Sequence, residues 1–108
     1  MIQENKWFSI SVLFEGIHTP LTKEPKWEDI IYLVKAKNSD EAEKKTLKIA
    51  SENETEYDTI DGGKVKWVFR GVSQVFEIMV DELESGVELF SRHLKQDEAK
   101  SLLKPFED

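Results

Sequence analysis

The sequence predicts an α+β domain: a curved, mostly antiparallel sheet of four or five strands with one main helix packed on a face. Stretches of alternating apolar and polar residues lie on both sides of a single amphipathic helix, and strands adjacent in the chain can pair antiparallel. The length of 108 residues suits one compact domain over residues 1–108. We therefore expect the order β-β-α-β-β-β, followed by a short C-terminal helix.

The first two strands are predicted from two different apolar patterns. Residues 7–15 have apolar side chains at every second position, as a strand with one buried face requires. Residues 16–26 contain Gly16, Pro20 and Pro25 and are expected to form a loop. Residues 27–37 contain a continuous apolar run, which favours an interior strand covered on both faces.

The main helix is predicted from its start signal and its buried stripe. Asn38 or Ser39 is suited to the N-cap, and the acidic residues Asp40 and Glu41 follow in the first turn. The helix is expected to reach about residue 53, with a thin stripe toward the sheet. The stripe contains Ala42, Thr46, Ile49 and Ala50, with Leu47 at its border.

Three further strands and a helix are predicted after the main helix. A short strand over residues 54–60 precedes the turn-forming Asp61-Gly62-Gly63, and a long strand spans residues 64–79. Its apolar positions change parity near Gly71, so we expect a bulge or bend there. A turn over 81–86, a last strand over 87–94 and a short helix within 95–108 complete the chain. The three tryptophans, each near a strand start, are expected in the core.

These segments resemble a bacterial family known as domain of unknown function 4288. The resemblance is carried by residues 7–15, by residues 27–42 from Trp27-Glu28 to Ser39-Asp-Glu-Ala42, by residues 54–57, by residues 63–69 and by Gly86-Val-Glu-Leu-Phe-Ser-Arg92. His93 stands where the family pattern suggests an aromatic residue. The resemblance implies a bacterial cytoplasmic protein and brings no activity or site residue with it.

Charge and composition exclude several classes of partner. Lys and Arg total 15 against 22 Asp and Glu, so the net charge is −7, which is unfavourable for binding nucleic acid. No segment has the apolar length of a membrane span or a signal peptide. The absence of Cys excludes disulfides and thiolate chemistry and fits a reducing cytoplasm. We expect a cytoplasmic protein that binds neither nucleic acid nor membrane.

The sequence does not predict a catalytic or metal site. His18 and His93 are far apart in the chain and no Cys is available, so we expect neither a metal nor another cofactor. Ser91 and His93 would share a face of the last strand, but no third group is placed to orient the imidazole. The sequence does not decide whether the chain is an enzyme, but the lack of a reactive cluster argues against it.

The main functional hypothesis is a small acidic protein–protein interaction module: an inhibitor, an immunity-type partner or an adaptor. Its partner would be another protein, and a basic protein would suit it because complementary charge speeds association. Two acidic blocks without intervening basic residues are the candidate surfaces. The first block, preferred, contains Glu52, Glu54, Glu56, Asp58 and Asp61, and the second block contributes Glu82 and Glu84.

Two alternatives remain open. A small-molecule-binding domain or small enzyme could have a pocket beside the curved long strand, built from Arg70, Glu77, Arg92 and His93. In this alternative Glu77, which interrupts an apolar strand, would pair with one of the two arginines. Alternatively, the terminal helix could join two chains into a homodimer through Leu102, Leu103 and Phe106.

Overall fold

The computed structural model describes residues 5–20 and 24–103, which form one antiparallel sheet, a helix packed on it and a short second helix. The elements are β1 (Lys6–Thr19), β2 (Lys26–Ala36), α1 (Ser39–Glu52), β3 (Thr55–Asp58), β4 (Lys64–Ile78) and α2 (Gln96–Leu103). The sheet order is β2-β1-β4-β3, with every neighbouring pair antiparallel. The predicted α+β class, the curved four-stranded sheet and the two helices are confirmed.

The core lies between α1 and one face of the sheet, hereafter the helix face. The strict alternation of β1 places four large apolar side chains on this face, and all four are buried. These are Phe8, Ile10, Val12 and Phe14. Val34 and Ala36 of β2 complete the same buried cluster.

α1 begins and packs as predicted. The side chain of Asn38 accepts a hydrogen bond from the Glu41 backbone N–H at 2.9 Å, which identifies Asn38 as the N-cap. Ala42, Thr46 and Ala50 face the sheet and are buried. Because these side chains are small, the helix axis can lie close to the strands, and the Thr46 hydroxyl is satisfied by the Ala42 carbonyl at 2.8 Å.

β4 curves because its register against β1 shifts twice. The shifts fall between Ser11 and Val12 and between Leu13 and Phe14 on β1, opposite Ser73 and Arg70 of β4. The bulge predicted near Gly71 is therefore confirmed. The shift at Arg70 turns Val72 to the helix face, and the shift at Ser73 then restores the original alternation, so Phe76 and Ile78 lie on the opposite face. The sequence pattern had placed these three residues on one face.

The prediction that β2 is an interior strand is wrong. β2 forms one edge of the sheet, since β1 is its one partner among the described strands, and Trp27 is 55% exposed rather than in the core. The continuous apolar run suggested that both faces of β2 are covered. One face packs against α1 and the core, but the other is left largely open. The predicted loop is also shorter, since β1 continues through Gly16 to Thr19.

The fifth strand predicted over residues 87–94 is also absent: this stretch, within the described residues, joins no ladder. Residues 79–95, hereafter the covering segment, instead cross the sheet face opposite α1. The Ser9 hydroxyl donates to the Leu89 carbonyl, and the rings of Phe76 and Phe90 lie 6.2 Å apart. Ser9 and Ser11 are buried there, because only small side chains allow a backbone to pass so close.

Candidate binding site

A groove on the helix face begins where α1 ends. α1 covers the sheet only as far as Glu52, while β1 and β4 continue beyond it toward the hairpin that joins β3 to β4. The concavity left there has a volume of about 350 Å³. Its lining is Phe14, Glu28, Ile30, Asn53, Thr55, Tyr57 and Trp67, contributed by all four strands and by the residue that follows α1.

The aromatic part of the groove depends on a glycine. Trp67 of β4 lies opposite Gly16 of β1, and a Cβ at Gly16 would come within 2.9 Å of the indole ring. The ring can therefore lie against the β1 backbone only because residue 16 has no side chain. The Trp67 indole N–H donates to the Tyr57 hydroxyl at 3.3 Å, and the rings of Phe14 and Phe69 lie tilted at 55° with centroids 5.7 Å apart.

Two polar side chains border the groove on its β2 side. Glu28 of β2 pairs in register with Phe14, so its exposed carboxylate stands beside the aromatic floor. Asn53, which follows α1, donates its amide N–H to the hydroxyl of Tyr32, also on β2, at 3.1 Å. An aromatic surface next to a carboxylate attracts organic cations through the ring quadrupole and through charge.

The first acidic block runs along the β3 edge of the sheet and forms a rim beside this groove. From residue 52 to residue 58, acidic side chains alternate with groove-lining ones. The lining positions are Asn53, Thr55 and Tyr57, and the acidic positions are Glu52, Glu54, Glu56 and Asp58. All four acidic residues are exposed. One short segment therefore supplies the groove wall and the negative charge beside it, with Glu56 and Asp58 of β3 pointing to the opposite face of the sheet at the same edge.

Tertiary contacts occupy part of this acidic rim. Glu54 accepts a hydrogen bond from the Phe69 backbone N–H at 2.9 Å, next to the first bulge of β4, and Glu56 pairs with Lys64 at 3.6 Å. Asp61 accepts from the Thr59 hydroxyl at 2.5 Å inside the turn, where Gly62 has a positive φ of 88°. Among the described residues, Glu52 and Asp58 are the members of the block with no hydrogen bond or ion pair to their carboxylates.

The second block does not join the first. Glu82 and Glu84 are exposed in the covering segment, which leaves β4 at Ile78. Ile78 lies opposite Trp7, whereas the β3–β4 hairpin meets the other end of β1 near Thr19. The two blocks are therefore near opposite ends of a molecule 57 Å long and cannot form one continuous surface.

With this geometry established, comparison with known proteins gives one result. A family model described as "Domain of unknown function (DUF4288)" matches residues 7–91, which include β1 except Lys6, the other three strands, α1 and most of the covering segment. The chain belongs to the DUF4288 family. Searches of curated proteins and of solved structures found no match.

In this DUF4288 chain the residues of the alternative pocket are dispersed. Glu77 lies on the helix face opposite Phe8 and pairs with Lys6 at 3.7 Å. The Arg70 guanidinium forms an ion pair with Glu15 at 2.8 Å, and Glu15 lies opposite Val68 on the other face of the sheet. Arg92 lies beside α2 in a shallow depression, with His93 exposed next to it. The structure does not bring the four residues together, and it pairs Glu77 with a lysine rather than an arginine.

A second concavity of about 560 Å³ lies at the hairpin end of the DUF4288 fold. It is formed by the end of β1 and the β3–β4 turn, and it contains His18, Thr59 and Asp61. The buried Nδ1 of His18 has no partner among the described residues. One imidazole and one carboxylate that is already engaged in the turn do not form a catalytic set.

The described residues contain no group of three or more metal-ligating side chains and no helix long and apolar enough to cross a bilayer. One carboxyl group has a displaced pKa. Partial desolvation raises the pKa of Glu41, but hydrogen bonds from the Lys45 ammonium and the Lys37 backbone N–H, with the charges of both lysines, bring it below its ordinary value. Glu41 lies at the start of α1, so this shift concerns helix stability rather than the groove.

The groove was missed by the sequence analysis although one signal for it was present. The alternation of acidic and non-acidic residues over 54–58 indicates that Glu54, Glu56 and Asp58 share one side of an extended chain. What that alternation could not show was the identity of the residues beneath the other side. Phe14, Glu28 and Trp67 come from three other strands and meet only through the sheet register.

Proposed function

We propose that this protein is a small acidic interaction module that binds a basic segment of another protein, with an arginine or lysine side chain entering the aromatic groove. The observation that carries the proposal is the shared origin of groove and rim in residues 52–58. A guanidinium group stacks on aromatic faces and pairs with carboxylates, so Trp67, Tyr57 and Glu28 offer it both contacts. The net charge of −7 favours the approach of such a partner.

An inhibitor, immunity-type partner or adaptor would each use the groove in this way, since each covers a basic site on another protein. We place this role in the cytoplasm because the chain has no Cys. Nucleic acid is not the proposed partner, since its phosphates would be repelled by the same rim.

The direct test is a titration of the protein with a short arginine-containing peptide, followed by NMR amide shifts and by Trp fluorescence. A peptide with citrulline in place of arginine is the matched control, because citrulline has nearly the same shape and no charge. We expect saturable shifts at residues 53–57 and at Trp67 with arginine only. Equal binding of both peptides, or shifts spread evenly over the acidic surface, would refute the groove.

Two variants that each remove one carboxylate distinguish binding in the groove from a general effect of the protein's net charge. Glu28→Gln removes the groove carboxylate and should weaken the peptide by about threefold to tenfold. Glu43→Gln removes the same charge from the exposed side of α1 and should change the affinity by less than about twofold. If both variants weaken binding equally, only net charge is acting.

A second pair of variants tests the acidic rim. Glu52→Gln with Asp58→Asn removes two charges that have no structural partner among the described residues, whereas Glu82→Gln with Glu84→Gln removes two from the opposite end. We expect only the first pair to weaken the arginine peptide and reduce the salt dependence of its binding. The reverse result would move the site to the covering segment.

The alternative of a small-molecule-binding domain or small enzyme now has the same groove as its best location. Aromatic rings with a few polar groups are typical of sites for small organic cations. Titration with agmatine, a free guanidinium compound, tests it: binding of agmatine as tight as the peptide would favour a small ligand, and much weaker binding would favour a protein segment.

A further inference from the structure

The outer edge of β2 has no neighbouring strand among the described residues. β2 is 11 residues long and pairs with β1 along its full length, so its other side offers backbone groups that no described strand pairs. Side chains on the sheet face opposite α1 form a row along this edge, hereafter the outer row. It contains Trp27, Asp29, Ile31, Leu33 and Lys35.

The outer row is unusually apolar for an exposed edge. Trp27, Ile31 and Leu33 are 55%, 52% and 47% exposed, and the covering segment lies over β1 and β4 rather than over them. Large apolar side chains beside unpaired backbone favour the addition of another strand.

The order of charges along the row specifies which strand fits. Asp29 lies toward the start of β2 and Lys35 toward its end, with Ile31 and Leu33 between them. An antiparallel second copy centred on Tyr32 places each Asp29 opposite the other copy's Lys35 and each Ile31 opposite the other copy's Leu33. A parallel second copy in register would instead set Asp29 against Asp29, which like-charge repulsion disfavours.

We propose that two copies of this chain associate through their β2 edges in this antiparallel register and form a continuous eight-stranded sheet. The contact is isologous, so it closes at two copies. Growth beyond the dimer is prevented by the remaining edge, β3, which has only four residues and carries Glu56 and Asp58.

Lys45 engages one backbone group at the end of the β2 edge. Its ammonium donates to the Lys35 carbonyl at 2.7 Å and pairs with Glu41 at 3.3 Å. The Lys35 carbonyl has a second lone pair and can accept a strand hydrogen bond as well. The two-fold axis is perpendicular to the sheet, so both grooves would open on the same side of the dimer.

Charge exchange tests the register. Asp29 and Lys35 are six residues apart on one strand, about 20 Å, and cannot contact each other within a monomer. We expect sedimentation equilibrium to show a wild-type dimer that Asp29→Lys or Lys35→Asp alone weakens by about tenfold or more. The double variant Asp29→Lys/Lys35→Asp should recover most of that affinity, and only contact between copies can explain the recovery.

Two controls accompany the sedimentation experiment. Thermal unfolding of each variant shows whether the monomer is intact, which matters for Lys35 because its ammonium lies 5.2 Å from the centre of the Trp7 ring. Leu103→Glu, on exposed α2, should leave the dimer unchanged; dimerisation lost in this variant and kept in Asp29→Lys would assign the contact to the terminal helix instead. A monomeric wild type, or a double variant as weak as the single ones, would overturn the proposal.

This inference and the proposed function can fail separately. The dimer uses the outer row, whereas the groove uses Glu28 and Ile30, whose side chains point to the helix face. A monomer that binds the arginine peptide would overturn only the dimer.

Discussion

The two halves of the helix face differ in what covers them, and the difference separates stability from binding. Under α1, the side chains of Phe8, Ile10 and Val34 are sealed by a helix whose small residues allow close packing. Beyond Glu52, the same face continues with the buried Phe14 and the partly exposed Trp67, and no helix of the described residues lies over it. One sheet thus has a packed half, which supplies folding free energy, and an open half, where Trp67 and Tyr57 are available to a partner.

The largest expected effect is on the packed half. Ile10 is 0% exposed and Ile60 is 109% exposed, so the same substitution can be compared at both sites. Ile10→Ala should lower the free energy of unfolding by about 2–5 kcal/mol, because it leaves a cavity in the core. Ile60→Ala should change it by no more than about 0.5 kcal/mol.

Urea denaturation measures the free energy of unfolding of both Ile variants. Titration with the arginine peptide then shows whether a change in the packed half affects binding in the open half. Ile10→Ala that remains folded should bind the peptide as the wild type does. A matching loss of affinity would show that the two halves are not independent.

The next effect is on the open half. Gly16→Ala would place a Cβ within 2.9 Å of the Trp67 ring, and displacing the ring should cost about 1–3 kcal/mol of stability. Unlike Ile10→Ala, it should also weaken the peptide, because the groove floor moves. Denaturation followed by Trp fluorescence measures the loss of stability, and peptide titration measures the loss of affinity. Unchanged Trp67 signals in Gly16→Ala would contradict the close contact.

A smaller effect is expected at the start of α1. Asn38→Ala removes the side chain that accepts from the Glu41 N–H and should lower stability by about 1 kcal/mol. Asn38→Asp keeps an acceptor and should preserve most of it. Both variants should leave the groove intact, since its boundary is set by the other end of the helix, and NMR shifts at residues 53–57 verify this.

The smallest effect is a pH dependence at Glu41. Its pKa is lower in the folded chain than its ordinary value, so ionised Glu41 stabilises the fold above that ordinary value, and the contribution is lost as the pH falls through the folded pKa. Urea midpoints measured from neutral to acid pH should therefore decline less in Glu41→Gln than in the wild type. Parallel declines would show that Glu41 contributes nothing measurable.

The sequence by itself determined the local elements, because each depends on residues close in the chain. The alternation of β1, the Asn38 cap, the Asp61-Gly62-Gly63 turn and the bend near Gly71 are local signals, and the structure contains all of them. The family resemblance, carried by the same segments, is likewise confirmed over residues 7–91.

The tertiary structure alone decided which strand is an edge, which side chains meet and how far charges are neutralised. The apolar run of β2 suits an interior strand or an edge equally, and residues 87–94 have the pattern of a strand although they cover a face without pairing. The first acidic block has no basic residue nearby in sequence, yet Lys64 reaches Glu56 across the hairpin. These features depend on register between distant segments, where a shift of one residue reverses every side chain, so local pattern cannot fix them.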